Sequence, residues 1–174
     1  MFVIRREPDN PILAPRREYP WEAVATYNPS AVRTKEGVRL YYRALGSSDA
    51  LGTNPNLSTI GTAFAEDGVH FHSRQQVIAP QESWDMFGCE DPRVTLFEGR
   101  WCCFYAALGG YPVGPDNIKV AVAIGDSPDN FTERHLLTPF NAKAATLFPE
   151  RINGDIVLLL TAHTDWTNEH PRPT

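Results

Sequence analysis

Apolar and β-branched residues along the chain fall in short runs broken by glycine turns, and the runs recur in a fixed order. Asn28-Pro29-Ser30-Ala31-Val32 passes through Thr34-Lys35-Glu36-Gly37 into Val38-Arg39-Leu40-Tyr41-Tyr42-Arg43-Ala44. Two such runs around a glycine turn predict a β-hairpin. The pattern returns as Pro92 to Phe97, Glu98-Gly99-Arg100 and Trp101 to Ala107, and again as Thr146 to Ile152, Asn153-Gly154-Asp155 and Ile156 to Ala162. Hairpins are therefore expected over 28–44, 92–107 and 145–162. Between them lies a second repeated unit, a strand, an acidic turn and an aromatic residue opening a further short strand. It reads Ser58 to Ala65, Glu66-Asp67-Gly68 and Phe71, then Lys119 to Ile124, Asp126-Ser127-Pro128-Asp129 and Phe131. Hairpin plus second unit makes about four strands in a period of roughly 60 residues, which is the blade of a β-propeller. No segment carries a helical period of apolar residues. The expected fold is all-β and propeller-like. It forms a single incomplete domain over 1–174, with an irregular lead-in at 1–27 lying across the surface and blade-like repeats from 28, 92 and 145. Propellers close with 4–8 blades, and about three fit here. The third breaks off after its hairpin, so a fragment of a longer protein is expected.

Composition narrows the class. With 174 residues, 42% of them hydrophobic and 21% charged, the chain reads as one ordinary globular domain. A net charge of −5 argues against a nucleic-acid partner or an acidic membrane surface. The longest apolar run, Ile156-Val157-Leu158-Leu159-Leu160, is far short of a bilayer span. The start, Met1-Phe2-Val3-Ile4-Arg5-Arg6, has its charges after a very short apolar piece, the wrong order for a secretion signal. Three cysteines, two of them adjacent, make neither a disulfide framework nor a metal spacing, and a cytoplasmic setting is expected.

The chemistry concentrates in Gly88-Cys89-Glu90-Asp91-Pro92-Arg93-Val94. Pro92 fixes its own φ and is expected to push Asp91 into an extended conformation at a stiff strand entrance. Adjacent carboxylates raise each other's pKa and a nearby guanidinium lowers them, so one acid could keep its proton and serve as a general acid. The same four residues, Glu-Asp-Pro-Arg, also read as a solvated turn. Elsewhere, His70 and His72 would share one face of a strand, but no third metal ligand is evident and a surface or packing role is expected. Cys102 and Cys103 should point to opposite faces of a strand as core residues. Trp84 and Phe87 could stack on a ligand ring or plug the core. Asp67-Gly68 and Asp126-Ser127 read as turn chemistry rather than calcium sites.

Taken in order, Asn10-Pro11-Ile12-Leu13, Asn28 to Val32, Tyr42-Arg43, Ile60-Gly61 with Asp67 to Phe71, Gly88 to Val94, and Leu147-Phe148-Pro149-Glu150 with Ile152-Asn153-Gly154 resemble glycoside hydrolase family 130. These are the mannoside phosphorylases and related β-mannosidases, five-bladed propellers of which this chain resembles the N-terminal half or so. The resemblance implies a sugar site at the central mouth and inverting cleavage of β-mannosidic bonds. Asp91 would be the general acid, protonating the leaving oxygen through a hydroxyl of the bound mannose. Asn28, Arg43 and Glu90 would hold that sugar, and Arg93 and Lys143 would bind phosphate. The implied partner is a small oligosaccharide, with homo-oligomerisation left open. No cofactor is called for, and inorganic phosphate is the co-substrate if the reaction is phosphorolysis to α-mannose 1-phosphate. The chain departs from the family's phosphorylases in two places. It reads Lys143-Ala144-Ala145 where they usually read Lys-Asp-Ala, and Thr161-Ala162-His163-Thr164-Asp165 where they usually carry His-Arg. These departures keep open a β-mannosidase using water, and the missing half of the mouth keeps open a non-catalytic or vestigial carbohydrate-binding propeller fragment.

Overall fold

The computed structural model describes residues 5–47 and 56–162. It is all-β, and its strands fall into two complete four-stranded meanders and a further hairpin. The first sheet is β1 (Ala25–Arg33), β2 (Val38–Ser47), β3 (Asn56–Ala65) and β4 (His72–Ile78), in that spatial order. The second repeats it with β5 (Gly88–Phe97), β6 (Arg100–Leu108), β7 (Ile118–Gly125) and β8 (Glu133–Leu136). β9 (Ala142–Leu147) and β10 (Leu158–Ala162) form the antiparallel hairpin. These are β-propeller blades, as the repeated pattern predicts.

Strand starts differ from the sequence expectation by a few residues. β1, β5 and β9 begin at Ala25, Gly88 and Ala142, ahead of 28, 92 and 145. The third hairpin is shorter than expected, because β9 stops at Leu147 and β10 starts only at Leu158. Pro149 can donate no ladder hydrogen bond. Beyond it, Ile152 and Asp155 close a separate tight turn with Asn153 and Gly154 at positive φ.

Alternation along the strands divides the core into three layers. Tyr41 and Ile60 of the first blade meet Cys89, Val94, Cys103 and Tyr105 of the second. On the other face of the second blade, Cys102, Phe104, Val120 and Val122 pack on Ala142, Ala145 and Leu147 of the hairpin. Cys102 and Cys103 thus face opposite layers, both as free thiols. The third layer, Leu40, Tyr42, Ala44, Ala63, Ala65 and Phe71, lies on the far face of the first blade, where Ile12, Leu13 and Trp21 cover it.

The lead-in therefore does more than cross the surface. Its 3-10 turn, Pro20–Glu22, buries Glu22 completely. Tyr42 donates to Glu22 Oε2 at 2.6 Å, and Arg74 Nη1 donates to Glu22 Oε1 at 2.7 Å and to the Ala14 carbonyl at 2.8 Å. Trp21 lies against Tyr42 and over Gly61, where a Cβ would come within 2.5 Å of the indole. The inner strands of successive blades are tied directly. Val94 N–H donates to Ser30 Oγ at 3.1 Å, and Thr95 Oγ1 donates to the Leu147 carbonyl at 3.2 Å. Inner-strand side chains from all three units are thereby drawn towards one place.

Candidate active site

Each inner strand carries an irregularity at a corresponding point. In β1, Tyr27 pairs with Arg43 and Ser30 with Tyr41, so Asn28 and Pro29 together face Tyr42. In β5, Glu90 pairs with Ala106 and Arg93 with Phe104, so Asp91 and Pro92 together face Tyr105. In β9, Ala144 faces Thr161 and Ala142 faces Ala162, which leaves Lys143 unmatched. Such bulges re-aim a side chain out of the pleat. Asn28 and Asp91 both take the left-handed conformation, with φ of 50° and 52°. The extended Asp91 at a strand entrance, expected from Pro92, is thus corrected to a left-handed residue in the middle of a strand. Proline excludes the right-handed helical region for the residue before it, and Asn and Asp are the non-glycine residues that tolerate the left-handed one.

The three bulged residues converge. Asn28 Nδ2 donates to Asp91 Oδ1 at 2.7 Å, and Lys143 Nζ stands 3.7 Å from Asp91 Oδ2. Arg43, directly across from Tyr27, reaches both acids, forming an ion pair with Glu90 Oε1 and standing 3.7 Å from Asp91 Oδ1. Asn28, Arg43, Glu90, Asp91 and Lys143 therefore form one cluster spanning three inner strands and β2. Arg93 stays apart, its Nη1 donating to the Pro92 carbonyl at 2.7 Å. With Ala144, Ala145, Thr146, Leu159 and Thr161, Arg93 lines a cleft of about 190 Å³. Of the family motif's second departure, Thr161 and Ala162 lie on β10, whereas His163, Thr164 and Asp165 are outside the described residues.

Two further side chains hold this cluster and were not singled out from the sequence. Ser58 of β3 is buried; its Oγ accepts from Arg43 Nε at 2.9 Å and donates to Glu90 Oε1 at 3.2 Å. The Tyr27 ring lies under the Arg43 guanidinium at 4.8 Å, and burial raises its phenol pKa above 10.0. Nothing in the spelling of either residue marks it; the Asx-Pro pair repeated at Asn28 and Asp91 was the available signal for the bulges. Burial also raises the Glu90 pKa above 4.5; the Arg43 guanidinium opposes the shift and Asp91 adds to it. The cluster can grip vicinal hydroxyls with charged and amide groups and offer a carboxyl oxygen to a bond held between them.

The other candidates lie elsewhere. His70 precedes β4 rather than sharing its face with His72. It pairs with Asp67 at 2.5 Å, while His72 pairs with Glu66 at 2.8 Å. Asp67 caps its own turn, accepting from the Val69 and His70 amides at 2.9 Å, with its pKa held low by these bonds. Among the described residues no group of three or more His, Cys, Asp or Glu is placed to hold a metal. Trp84 packs partly on the core layer between the blades. Its neighbour Asp85 is buried and accepts from the Gln81 and Glu82 amides and from Tyr105, which fixes the loop leading to β5.

Comparisons with known proteins bear on the family and the fold. The sequence profile of glycoside hydrolase family 130, described as beta-1,4-mannooligosaccharide phosphorylase, matches residues 4–170. A beta-1,2-mannobiose phosphorylase of Thermoanaerobacter sp. (strain X514) is 30% identical over 168 residues, covering 91% of this chain and 54% of that protein. A 1,2-beta-oligomannan phosphorylase of the same strain is 27% identical over 166 residues, covering 95% of this chain and 55% of its own. The chain spans about half the length of the curated relatives it matches. Among solved structures, the beta-1,2-mannobiose phosphorylase from Listeria innocua, in complex with beta-1,2-mannobiose, superposes with a TM-score of 0.70. Its identity is 18%, over 94% of this chain and 59% of that one, a likeness of fold. By profile, by sequence and by the blades themselves, the chain belongs to glycoside hydrolase family 130.

Proposed function

We propose that the whole protein cleaves β-mannosidic bonds with inversion, by phosphorolysis to α-mannose 1-phosphate. The convergence of Asn28, Arg43, Glu90, Asp91 and Lys143 carries this reading. Asn28, Arg43 and Glu90 hold the mannose ring. Asp91 passes its proton, through a hydroxyl of that ring, to the glycosidic oxygen as the bond from the anomeric carbon breaks. A phosphate oxygen attacks the same carbon from the opposite face and forms the new bond, so a β-linkage yields an α-phosphate. Lys143 and Arg93 supply the cations that a phosphate nucleophile needs, with the cleft beside Arg93 as its seat. The relatives named as mannobiose and oligomannan phosphorylases support the same chemistry. The protein works in the cytoplasm on a soluble oligosaccharide; its three cysteines are free and buried, and no helix among the described residues is long and apolar enough to cross a membrane.

Ala144 and the Thr161-Ala162 end of β10 favour a second reading, in which water replaces phosphate. They stand where the family's phosphorylases usually carry an acid and a His-Arg pair, and a thinner cation cluster holds a dianion less firmly. The two readings separate when the complete protein is incubated with β-linked mannobiose and manno-oligosaccharides, with and without inorganic phosphate. Phosphate-dependent release of α-mannose 1-phosphate is expected. Free mannose released at the same rate without phosphate would make the enzyme a mannosidase and return Arg93 and Lys143 to the sugar or the fold.

A further inference from the structure

We propose that the cleft walled by Trp84 is a second saccharide subsite, taking a pyranose ring of the oligosaccharide whose other end lies at Asp91. The ligand class rests on the mannoside reading above. Trp84 packs on the core layer between the two blades and also borders a cleft of about 290 Å³ with Ser83, Gly109, Asp116, Asn117 and Lys119. Its indole Nε1 is buried and has no hydrogen-bond partner among the described residues. Trp84 as a whole is only half-buried, so part of the residue stays open to the cleft.

The lining suits a sugar better than other ligands. A pyranose presents a C–H face to an aromatic wall and a rim of hydroxyls to polar groups, and aromatic rings supply large contact area at little entropic cost. The Asp116 carboxylate and Lys119 ammonium make no ion pair or hydrogen bond among the described residues, so an acceptor and a donor stand ready on the rim. One cation beside one anion carries no net charge for a phosphate. Asn117 is fixed in place, accepting from the Gly114 amide at 2.9 Å and donating to the Pro112 carbonyl at 3.1 Å. Two glycines let the chain pack closely here, one against the Trp84 backbone and one against Asn117. A Cβ at Gly109 would come within 3.2 Å of the Trp84 carbonyl oxygen, and one at Gly110 within 2.7 Å of Asn117 Nδ2.

The cleft also lies within reach of the acid. Gly109 follows Leu108, which pairs with Gly88 at the start of β5. Asp91 is three residues further along that strand, about 10 Å from Gly88 at the usual rise, and the step across the ladder to Leu108 adds about 5 Å. A chain of a few sugars can bridge that distance, so the cleft would favour longer substrates over a disaccharide.

The test uses the complete protein labelled with 5-fluorotryptophan, its Trp84 fluorine resonance assigned by Trp84→Phe. β-Linked mannobiose, mannotriose and mannotetraose are titrated in, and α-mannose 1-phosphate is followed alongside. The Trp84 resonance is expected to shift with mannotetraose. Trp84→Leu should weaken apparent affinity for mannotetraose about tenfold, because the sugar face then buries less apolar surface, and leave mannobiose unchanged. Lys119→Met, away from the core, should cost about fivefold through the loss of one hydrogen bond and serves if Trp84→Leu fails to fold. Turnover with an unmoved Trp84 resonance would overturn the subsite and leave the reading of Asp91 standing. A moving resonance without any cleavage product would support the subsite and overturn that reading. Silence in both would overturn both.

Discussion

Asp91 owes its place to its own backbone as much as to its neighbours. A φ of 52° is open to Asp at modest cost, and it turns the carboxylate out of the pleat towards Asn28 and Lys143. Asp91→Asn keeps the shape and removes the proton, so in the complete protein turnover should fall by about 10²–10⁴-fold while the circular dichroism stays unchanged. Near-normal activity would reassign Asp91 to sugar binding or to structure. Glu90 gives a different handle, through pH. Its folded pKa lies above 4.5 because it is buried, so across that window the folded protein holds a proton that the unfolded chain lacks. Stability from this group is then full below about 4.5 and declines as pH rises through the folded pKa. Melting temperatures recorded from pH 4 to 7 should show that decline flattened in Glu90→Gln, and an unaltered slope would trace it to another group.

At the scale of elements, the hairpin turns separate backbone cost from steric cost. Gly99 sits at φ 82° with open space around a would-be Cβ, so Gly99→Ala should cost only the left-handed penalty, about 1–2 kcal/mol. At Gly37 the Cβ would fall 2.3 Å from the Ala65 carbonyl oxygen and 2.8 Å from Glu66 Cα, both backbone. Gly37→Ala must therefore push the strands apart where β2 begins and β3 ends, and chemical denaturation should find it the more damaging of the two. Both turns, and the strands they join, were legible because alternating apolar runs and glycine turns are local signals. Cys102 and Cys103 could be assigned to opposite faces on the same ground. The inner-strand bulges were less legible, since a bulge is a mismatch between two strands and only Asn28-Pro29 and Asp91-Pro92 hint at it. Ser58 and Tyr27 were not legible at all. Each matters through Arg43, and which strand faces it is settled only when the blade assembles.

On the scale of the whole molecule, the lead-in is bound to the first blade by a buried charge pair. Removing one partner strands the other without solvent, so Glu22→Ala and Arg74→Ala should each cost about 3–5 kcal/mol. The double variant should cost well under the sum, because the two losses are one interaction; additive losses in a denaturant titration would show that the residues act separately. The bulges have the opposite character. Asn28 and Lys143 are solvent-facing, Asp91 is only partly covered, and none of the three belongs to a core layer. Each blade thus presents one position to the common mouth whose residue core packing does not dictate, although the left-handed backbone favours Asn, Asp or Gly at the first two. An amide, an acid and an amine occupy these positions in turn, like interchangeable heads on a single handle. Chemistry at the mouth can change by exchanging one residue per blade among those its backbone admits, with the core layers left as they were.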